Sequence, residues 1–179
     1  MSNTLIIFDI DGTLLHSNRI DSQCFAQAYE YLFEKPFPSI DWRKYPHVTD
    51  TTIFNSVIQE HFGRPATEED VQRQQDYFVE LLKNNRLKDP KKFAEVPNAK
   101  YTIEKLIEDD RFVVGIATGG WRRPATLKLD HIGIPTTSLH MSFADGKETR
   151  EEIINESIQI ASLNRSNFER IVYVGDAIW

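Results

Sequence analysis

Apolar runs alternate with amphipathic stretches along much of the chain. Short apolar runs bounded by glycine or turn residues predict buried strands, and they occur at Leu5–Phe8, Phe112–Ala117 and Ile171–Val174. Apolar residues at helical spacing predict helices over Ala99–Glu108, Pro124–His131 and Glu151–Ala161. A further short strand is expected around Ser138–Met141. Because strands alternate with helices, the pattern indicates an α/β fold with a parallel sheet.

The region from about residue 16 to residue 91 has a different character. It shows no convincing strand, and amphipathic helical patterns fill it. Thr67, followed three residues later by Asp70, resembles a capping box at the start of a helix. The segment 88–97, with two prolines and three lysines, reads as a return linker. We therefore expect an all-helical module inserted between the first strand and the later strand-helix alternation.

The composition of the chain limits the kinds of molecule that it is expected to bind. The net charge is -6, from 21 basic and 27 acidic side chains, which argues against a nucleic-acid or anionic membrane surface. Cys24 is the only cysteine, so a disulfide within the chain is excluded and a reducing compartment fits. Neither a signal peptide nor an apolar stretch long enough to cross a bilayer is evident. The expected location is cytoplasmic, and a monomer and a homodimer both remain open.

Two carboxylates, Asp9 and Asp11, follow the first predicted strand. Ligands bind at the carboxyl edge of open parallel sheets. Neighbouring carboxylates repel, which favours a cation, a shared proton or divided nucleophile and acid roles. A polar turn is the ordinary alternative. A calcium loop is disfavoured, because Thr13 and two leucines follow where further oxygen ligands would be needed.

The ends of the other strands carry further candidate groups. Thr118-Gly119-Gly120 follows the second strand, where a hydroxyl and free amides can hold a phosphate. Asp176 follows the third strand and could join Asp9 around a hard cation such as Mg²⁺. Taken singly, each of these is also typical of a turn.

Lys147 precedes the last predicted helix and could supply positive charge to a phosphoryl group. Arg150 competes for that role. A lysine in such a loop is otherwise an ordinary solvated residue.

Together these sites resemble the haloacid dehalogenase superfamily of phosphohydrolases, and most closely its phosphoglycolate-phosphatase-like branch. The four family motifs are matched, in order, by Asp9-Ile10-Asp11-Gly12-Thr13-Leu14, Thr118-Gly119-Gly120, Lys147, and Gly175-Asp176. The resemblance covers essentially the whole chain. It implies a Rossmann-like three-layer core formed by residues 1–15 and 92–179, with a helical cap over residues 16–91.

The resemblance also implies the chemistry. Asp9 would be the nucleophile that forms an aspartyl-phosphate, and Asp11 the general acid and base. Thr118 and the Gly119 amide would bind the phosphoryl oxygens, and Lys147 would neutralise their charge. An alkoxide needs a proton to leave and a halide does not, so the acid at Asp11 favours ester hydrolysis over dehalogenation.

The implied cofactor is Mg²⁺, held by Asp9, the backbone carbonyl of Asp11, and Asp176. The implied substrate is a small phosphorylated metabolite. The cap would close over the site about hinges near Leu15–Ser17 and Lys88–Lys92, with His16 a linker residue. Candidate substrate contacts are His47, Thr49, Asp50 and Thr52, with Trp42, Arg43, Tyr45, Trp121, Arg122 and Arg123 as alternatives.

Three other functions are open at this point. A phosphomutase would use the same Asp9 and Asp11, and a degenerate member would only bind a phosphorylated ligand. A receiver domain also uses Asp, Thr and Lys around Mg²⁺, but its nucleophile is not on the first strand. The fourth motif of the family normally continues to a second acid and a further strand and helix. The sequence ends at Trp179, so we expect a C-terminal truncation.

Overall fold

A parallel four-stranded sheet forms the centre of the computed structural model, which describes residues 3–163 and 167–177. In spatial order its strands are β5 (His140–Ser142), β4 (Phe112–Ala117), β1 (Thr4–Phe8) and β6 (Arg170–Val174). The three main predicted strands are confirmed. The weak fourth one is displaced, because a short 3₁₀ turn over Thr136–Ser138 precedes β5.

Six α-helices accompany the strands in the described ranges. They are α1 (Asn18–Phe33), α2 (Asp50–Phe62), α3 (Glu68–Lys88), α4 (Ala99–Ile107), α5 (Arg122–Ile132) and α6 (Arg150–Ser162). The predicted capping box is present at α3, where Asp70 N–H donates to Thr67 Oγ1 and Thr67 N–H donates to Asp70 Oδ2. No helix in this part of the chain is long and apolar enough to cross a membrane. The α/β class predicted from the sequence is confirmed.

The strand register brings three loops to one edge of the sheet. Phe8 lies opposite Ile116 of β4 and Val174 of β6, so the three strands end at the same level. β4 and β5 extend the sheet on one side of β1, and β6 lies on the other. The order of the strands thus reverses at β1, and the crevice at such a reversal is the usual ligand site of an open α/β sheet. The sheet therefore places the ends of β1, β4 and β6 around one position.

Helices α1–α3 share an aromatic core with the loop that follows β4. Phe25 contacts the rings of Phe37, Trp42 and Phe78, and Trp121 stacks on it at a centroid distance of 5.6 Å. Trp121 is 1% exposed, although it belongs to the sheet side of the molecule. The helical segment is thus packed directly on the carboxyl edge of the sheet.

Two short strands mark where the chain enters and leaves the helical segment. β2 (Leu15–His16) pairs antiparallel with β3 (Ala94–Glu95), although the sequence predicted no strand here. Both are only two residues long, which is too short for a periodic signal.

The single cysteine lies inside the helical segment. Cys24 on α1 is fully buried, and Asn85 of α3 donates to its sulfur at 3.4 Å. Burial raises the pKa of the Cys24 thiol to about 12.

Candidate active site

A cavity of about 390 Å³ lies at the carboxyl edge of the sheet. Residues that the sequence singled out at the ends of the strands line it, among them Asp9, Asp11, Thr118, Gly119 and Asp176. The helical segment supplies the opposite wall, which includes Trp42, Thr49 and Asp50. The structure therefore brings together residues that are separated by more than a hundred positions in the sequence.

Asp9 is held in one orientation at the end of β1. Its backbone N–H donates to Val174 O at 2.9 Å, and its Oδ1 accepts from the N–H of Ile10 at 2.8 Å. Oδ2 accepts from Arg150 Nη1 at 3.0 Å. Burial raises the pKa of Asp9, although Arg150 opposes that rise. A buried carboxylate at the wall of a cavity is suited to bind a cation or to attack an electrophile.

Arg150, and not Lys147, contacts Asp9. Arg150 is the first residue of α6, and its guanidinium also donates through Nε to Val48 O at 2.9 Å. Lys147 Nζ instead lies 2.8 Å from Glu156 Oε2, and Lys147 is not among the residues that line the cavity. In this structure Asp9 is therefore paired with Arg150, which the sequence offered as the alternative to Lys147.

Asp11 forms an ion pair with a different basic residue, Lys128. Lys128 Nζ on α5 lies 2.8 Å from Asp11 Oδ1 and 2.7 Å from Oδ2, and the Ser17 hydroxyl donates to Oδ1. Lys128 also forms an ion pair with Asp21 of α1. Burial alone would lower the pKa of Lys128, but the charges of Asp11 and Asp21 outweigh burial and raise it. Asp9 and Asp11 therefore lie in the same cavity with different cationic partners.

The turn after β4 approaches other backbone closely. Gly120 N–H donates to Thr118 Oγ1 at 3.3 Å. A Cβ atom at Gly119 would lie 2.5 Å from Val48 O and 2.6 Å from the guanidinium carbon of Arg150. Such distances are far below van der Waals contact, so this position requires glycine.

Asp176 faces the first loop. Asn18 Nδ2 donates to Asp176 Oδ2 at 3.2 Å. Gly12 has φ +79°, and a Cβ there would lie only 2.1 Å from the same oxygen. Glycine at position 12 therefore permits both the left-handed backbone conformation and the close approach of the Asp176 carboxylate.

The start of α2 joins the helical segment to the sheet edge. Asp50 N–H donates to Gly119 O at 2.8 Å, and Asp50 Oδ2 accepts from Trp121 N–H at 2.9 Å. Thr49 and Thr52 both donate to Glu148 O. Burial raises the pKa of Asp50 to about 8, and the nearby charge of Asp21 adds to the rise.

Only some of the predicted substrate contacts line the cavity. Thr49, Asp50 and Trp42 do so, whereas the remaining candidates are not among the lining residues: His47, Thr52, Arg43, Tyr45, Trp121, Arg122 and Arg123. Arg43 pairs with Asp41, and Tyr45 donates to Ser39 O. Arg122 and Arg123 begin α5, two residues before the predicted start of this helix at Pro124.

Sequence reasoning missed Lys128 and Asp21. A faint signal exists for Lys128, because Ala125 and Ile132 stand three residues before and four residues after it on the same helix face. A lysine on the apolar face of a helix indicates a buried acidic partner. Which residue that partner is depends on the tertiary fold.

The donor chemistry of the site fits Mg²⁺. Across residues 3–163 and 167–177, no three His, Cys, Asp or Glu side chains form a group that could hold a metal ion. The implied site needs only two such side chains, those of Asp9 and Asp176, with the Asp11 carbonyl as the third protein ligand. Both carboxylates line the same cavity. Oxygen donors of this kind, completed by water, suit Mg²⁺.

The fold and the site define a class: an α/β protein whose paired aspartates at the end of the first strand face a helical insert. The family model of haloacid dehalogenase-like hydrolases matches residues 6–179. The chain belongs to this family.

Solved structures of low sequence identity share the fold. A hydrolase from Pseudomonas syringae matches with a TM-score of 0.71 and 17% identity, over 100% of this chain and 78% of that one. A predicted phosphoglycolate phosphatase from Haemophilus somnus matches with a TM-score of 0.62 and 18% identity, over 98% and 78%. A β-phosphoglucomutase candidate from Bacteroides vulgatus matches with a TM-score of 0.64 and 20% identity, over 96% and 67%. No curated protein matches the chain.

Proposed function

We propose that the protein is a Mg²⁺-dependent phosphatase that hydrolyses a small phosphorylated metabolite through an aspartyl-phosphate. The observation that carries this proposal is the arrangement of Asp9 and Asp11. Both carboxylates face one cavity, but Asp9 contacts Arg150 whereas Asp11 contacts Lys128 and Ser17. Two carboxylates in different surroundings are suited to different roles, one as nucleophile and one as acid and base.

In the first step, a carboxylate oxygen of Asp9 attacks phosphorus. The bond from phosphorus to the leaving oxygen breaks, and Asp11 gives its proton to that oxygen. Thr118 and the Gly119 amide bind the phosphoryl oxygens, and Arg150 neutralises their charge. We assign the charge role to Arg150 over Lys147, because Arg150 already contacts Asp9.

In the second step, Asp11 takes a proton from water, and the resulting hydroxide attacks the phosphorus of the aspartyl-phosphate. The bond between phosphorus and the Asp9 oxygen breaks. Inorganic phosphate leaves, the Asp9 carboxylate is restored, and Asp11 is protonated for the next cycle.

Asp9, Asp176 and the Asp11 carbonyl would hold Mg²⁺, which would shield the nucleophile from the negative substrate and stabilise the transferring group. This proposal is supported by the oxygen donors at the cavity and by the fit of Gly12 against Asp176.

We assign residues 16–91 as the cap. Trp42, Ile40 and Ile53 line the cavity on the cap side, and Arg19 adds a positive charge. These side chains would contact the leaving group and exclude water from the reacting phosphorus. β2 lies within the first predicted hinge, Leu15–Ser17, whereas β3 lies just after the second, Lys88–Lys92.

The test is phosphate release from an aryl phosphate, with Mg²⁺ and with a chelator. We expect release only with Mg²⁺, and none from Asp9→Asn. Asp130→Asn is the matched control, because Asp130 is an exposed aspartate that does not line the cavity. Metal-dependent release by Asp9→Asn at the normal rate, or no release by the wild type, would reject the proposal. The second outcome would favour a phosphate-binding protein without activity.

A phosphomutase is the second candidate. It is supported by the shared fold of the β-phosphoglucomutase candidate and by the cavity that Asp9 and Asp11 share with the helical segment. Incubation with a sugar monophosphate and its bisphosphate separates the two. A mutase forms the isomeric sugar phosphate, whereas a phosphatase releases inorganic phosphate and free sugar.

A further inference from the structure

An ammonium group is buried between two carboxylates beside the cavity. Lys128 is 1% exposed, and its Nζ contacts both oxygens of Asp11 on one side and Asp21 on the other. Lys128 is not itself among the residues lining the cavity, whereas Asp11 and Asp21 are. The two carboxylates thus face the cavity, and the lysine contacts them from the protein interior.

Burying a charge in this way is expensive unless its partners are well placed. Removing an ammonium group from water is strongly unfavourable, and only close opposite charges with good hydrogen-bond geometry offset that cost. An apolar residue on this face of α5 would pack without the penalty. None of the chemical steps described above requires Lys128 to touch the substrate.

We propose that Lys128, anchored by Asp21, is a positioning residue that fixes the carboxylate of Asp11 for proton transfer. The inference rests on the proposed function, because it assigns a purpose to the acid and base of that reaction. Asp11 must reach the leaving oxygen in one step and a water in the next. Proton transfer in both steps requires that the side chain of Asp11 keeps its orientation.

The contacts of Asp11 supply such a restraint. Lys128 contacts both of its oxygens, and the Ser17 hydroxyl adds a third hydrogen bond, to Oδ1. Lys128 also forms an ion pair with Asp21, so the ammonium cannot move away without breaking a second ion pair. The two donor groups come from α5 and from the start of the helical segment, and neither lines the cavity.

The arrangement also keeps the two cations separate. Arg150 contacts Asp9 and Lys128 contacts Asp11. Without Lys128, Asp11 would face Asp21 with no ammonium between them, and its carboxylate would lose the ion pair that restrains it.

The test compares Lys128→Met with the wild type on two substrates in the presence of Mg²⁺. Dinitrophenyl phosphate has a leaving group that needs no proton, whereas propyl phosphate has one that does. With propyl phosphate, we expect Lys128→Met to lose kcat by about 100-fold or more, the contribution of a general acid, with KM little changed. With dinitrophenyl phosphate, we expect a rapid burst of about one dinitrophenolate per protein, followed by slow turnover, because phosphorylation of Asp9 survives and its hydrolysis does not.

A second variant separates positioning from folding. Lys128→Met alone leaves Asp21 without its partner, whereas Lys128→Met with Asp21→Asn removes both charges. We expect the double variant to fold like the wild type by thermal melting and still to show the burst without propyl phosphate turnover. Normal propyl phosphate turnover in either variant, or loss of the burst in the folded double variant, would overturn the positioning role. A wild type that releases neither leaving group would overturn the proposed function as well.

Discussion

The guanidinium of Arg150 lies 3.0 Å from the carboxylate of Asp9. The same side chain donates to the carbonyl of Val48 in the helical segment. One residue therefore connects the candidate nucleophile to the segment that we assign as the cap.

Arg150→Met should reduce kcat/KM by about 100-fold or more, as expected when a charge that stabilises the transferring group is lost. Lys147→Met is the matched comparison. Its partly exposed pair with Glu156 contributes little, so we expect a loss of at most about threefold. Phosphate release at saturating Mg²⁺ measures both. Equal losses would show that Lys147 reaches the phosphoryl group during turnover.

Gly119→Ala should impair activity more than Gly120→Ala. An added Cβ at Gly119 meets Val48 O at 2.5 Å and Arg150 at 2.6 Å, whereas at Gly120 its nearest neighbours lie at 3.7 Å. We expect the first change to cost about 1–3 kcal/mol of stability through overpacking and to displace Arg150. Urea unfolding and kcat/KM of the two variants give the comparison. Similar values for both would mean that the contact at Gly119 relaxes freely.

Asp176→Asn should weaken the requirement for Mg²⁺ without unfolding the protein. The change keeps the size of the side chain and removes its charge. We expect the Mg²⁺ concentration for half-maximal activity to rise by at least about tenfold, because a carboxylate ligand becomes an amide. Asp130→Asn, on an exposed residue that does not line the cavity, serves as the control. An unchanged Mg²⁺ dependence would remove Asp176 from the metal site.

Asp70→Asn should produce a pH-dependent loss of stability. The hydrogen bond from Arg64 and the capping bonds at Thr67 lower the pKa of Asp70 from 3.8 to about 2. Because the folded pKa lies below the unfolded pKa, the stabilisation is present above pH 3.8 and is lost as the pH falls toward 2. We expect a deficit of about 1–2 kcal/mol at pH 7 that shrinks between pH 4 and pH 2. Urea unfolding across this range measures it, and a constant deficit would contradict the ionic contribution.

Phe25→Ala should destabilise the helical segment severely. Phe25 is 1% exposed and contacts four aromatic rings, including Trp121 from the sheet side. A cavity of this size costs about 3–5 kcal/mol. Leu87→Ala, at a side chain that is 78% exposed, should change stability by less than about 0.5 kcal/mol. Thermal and urea unfolding of the two variants make the comparison.

The strands were predictable because their apolar runs are nearly continuous. β4 has the predicted bounds, and the carboxylates at the strand ends follow from those bounds. The antiparallel pair of β2 and β3 carries no such signal, since pairing over two residues depends on the closure of the helical segment between them.

The cations of the site could not be assigned in the same way. Lys147 and Arg150 are three positions apart, and the start of α6 decides which one faces the sheet. Thr149 and Glu152 form a capping box, so α6 begins at Arg150 and directs that side chain toward Asp9. Lys128 pairs with an aspartate 117 positions away, and local sequence carries no information about such a contact.

The burial of Cys24 leaves the described surface of the chain without a reactive thiol. Because its thiolate is strongly disfavoured at neutral pH, alkylating reagents should find almost no background target in the folded protein. Cysteines introduced at Glu80 on α3 and at Glu151 on α6, both exposed, could then carry a pair of fluorescent dyes. Energy transfer between those dyes would report the separation of the helical segment and the sheet domain in solution, during turnover, on the native background.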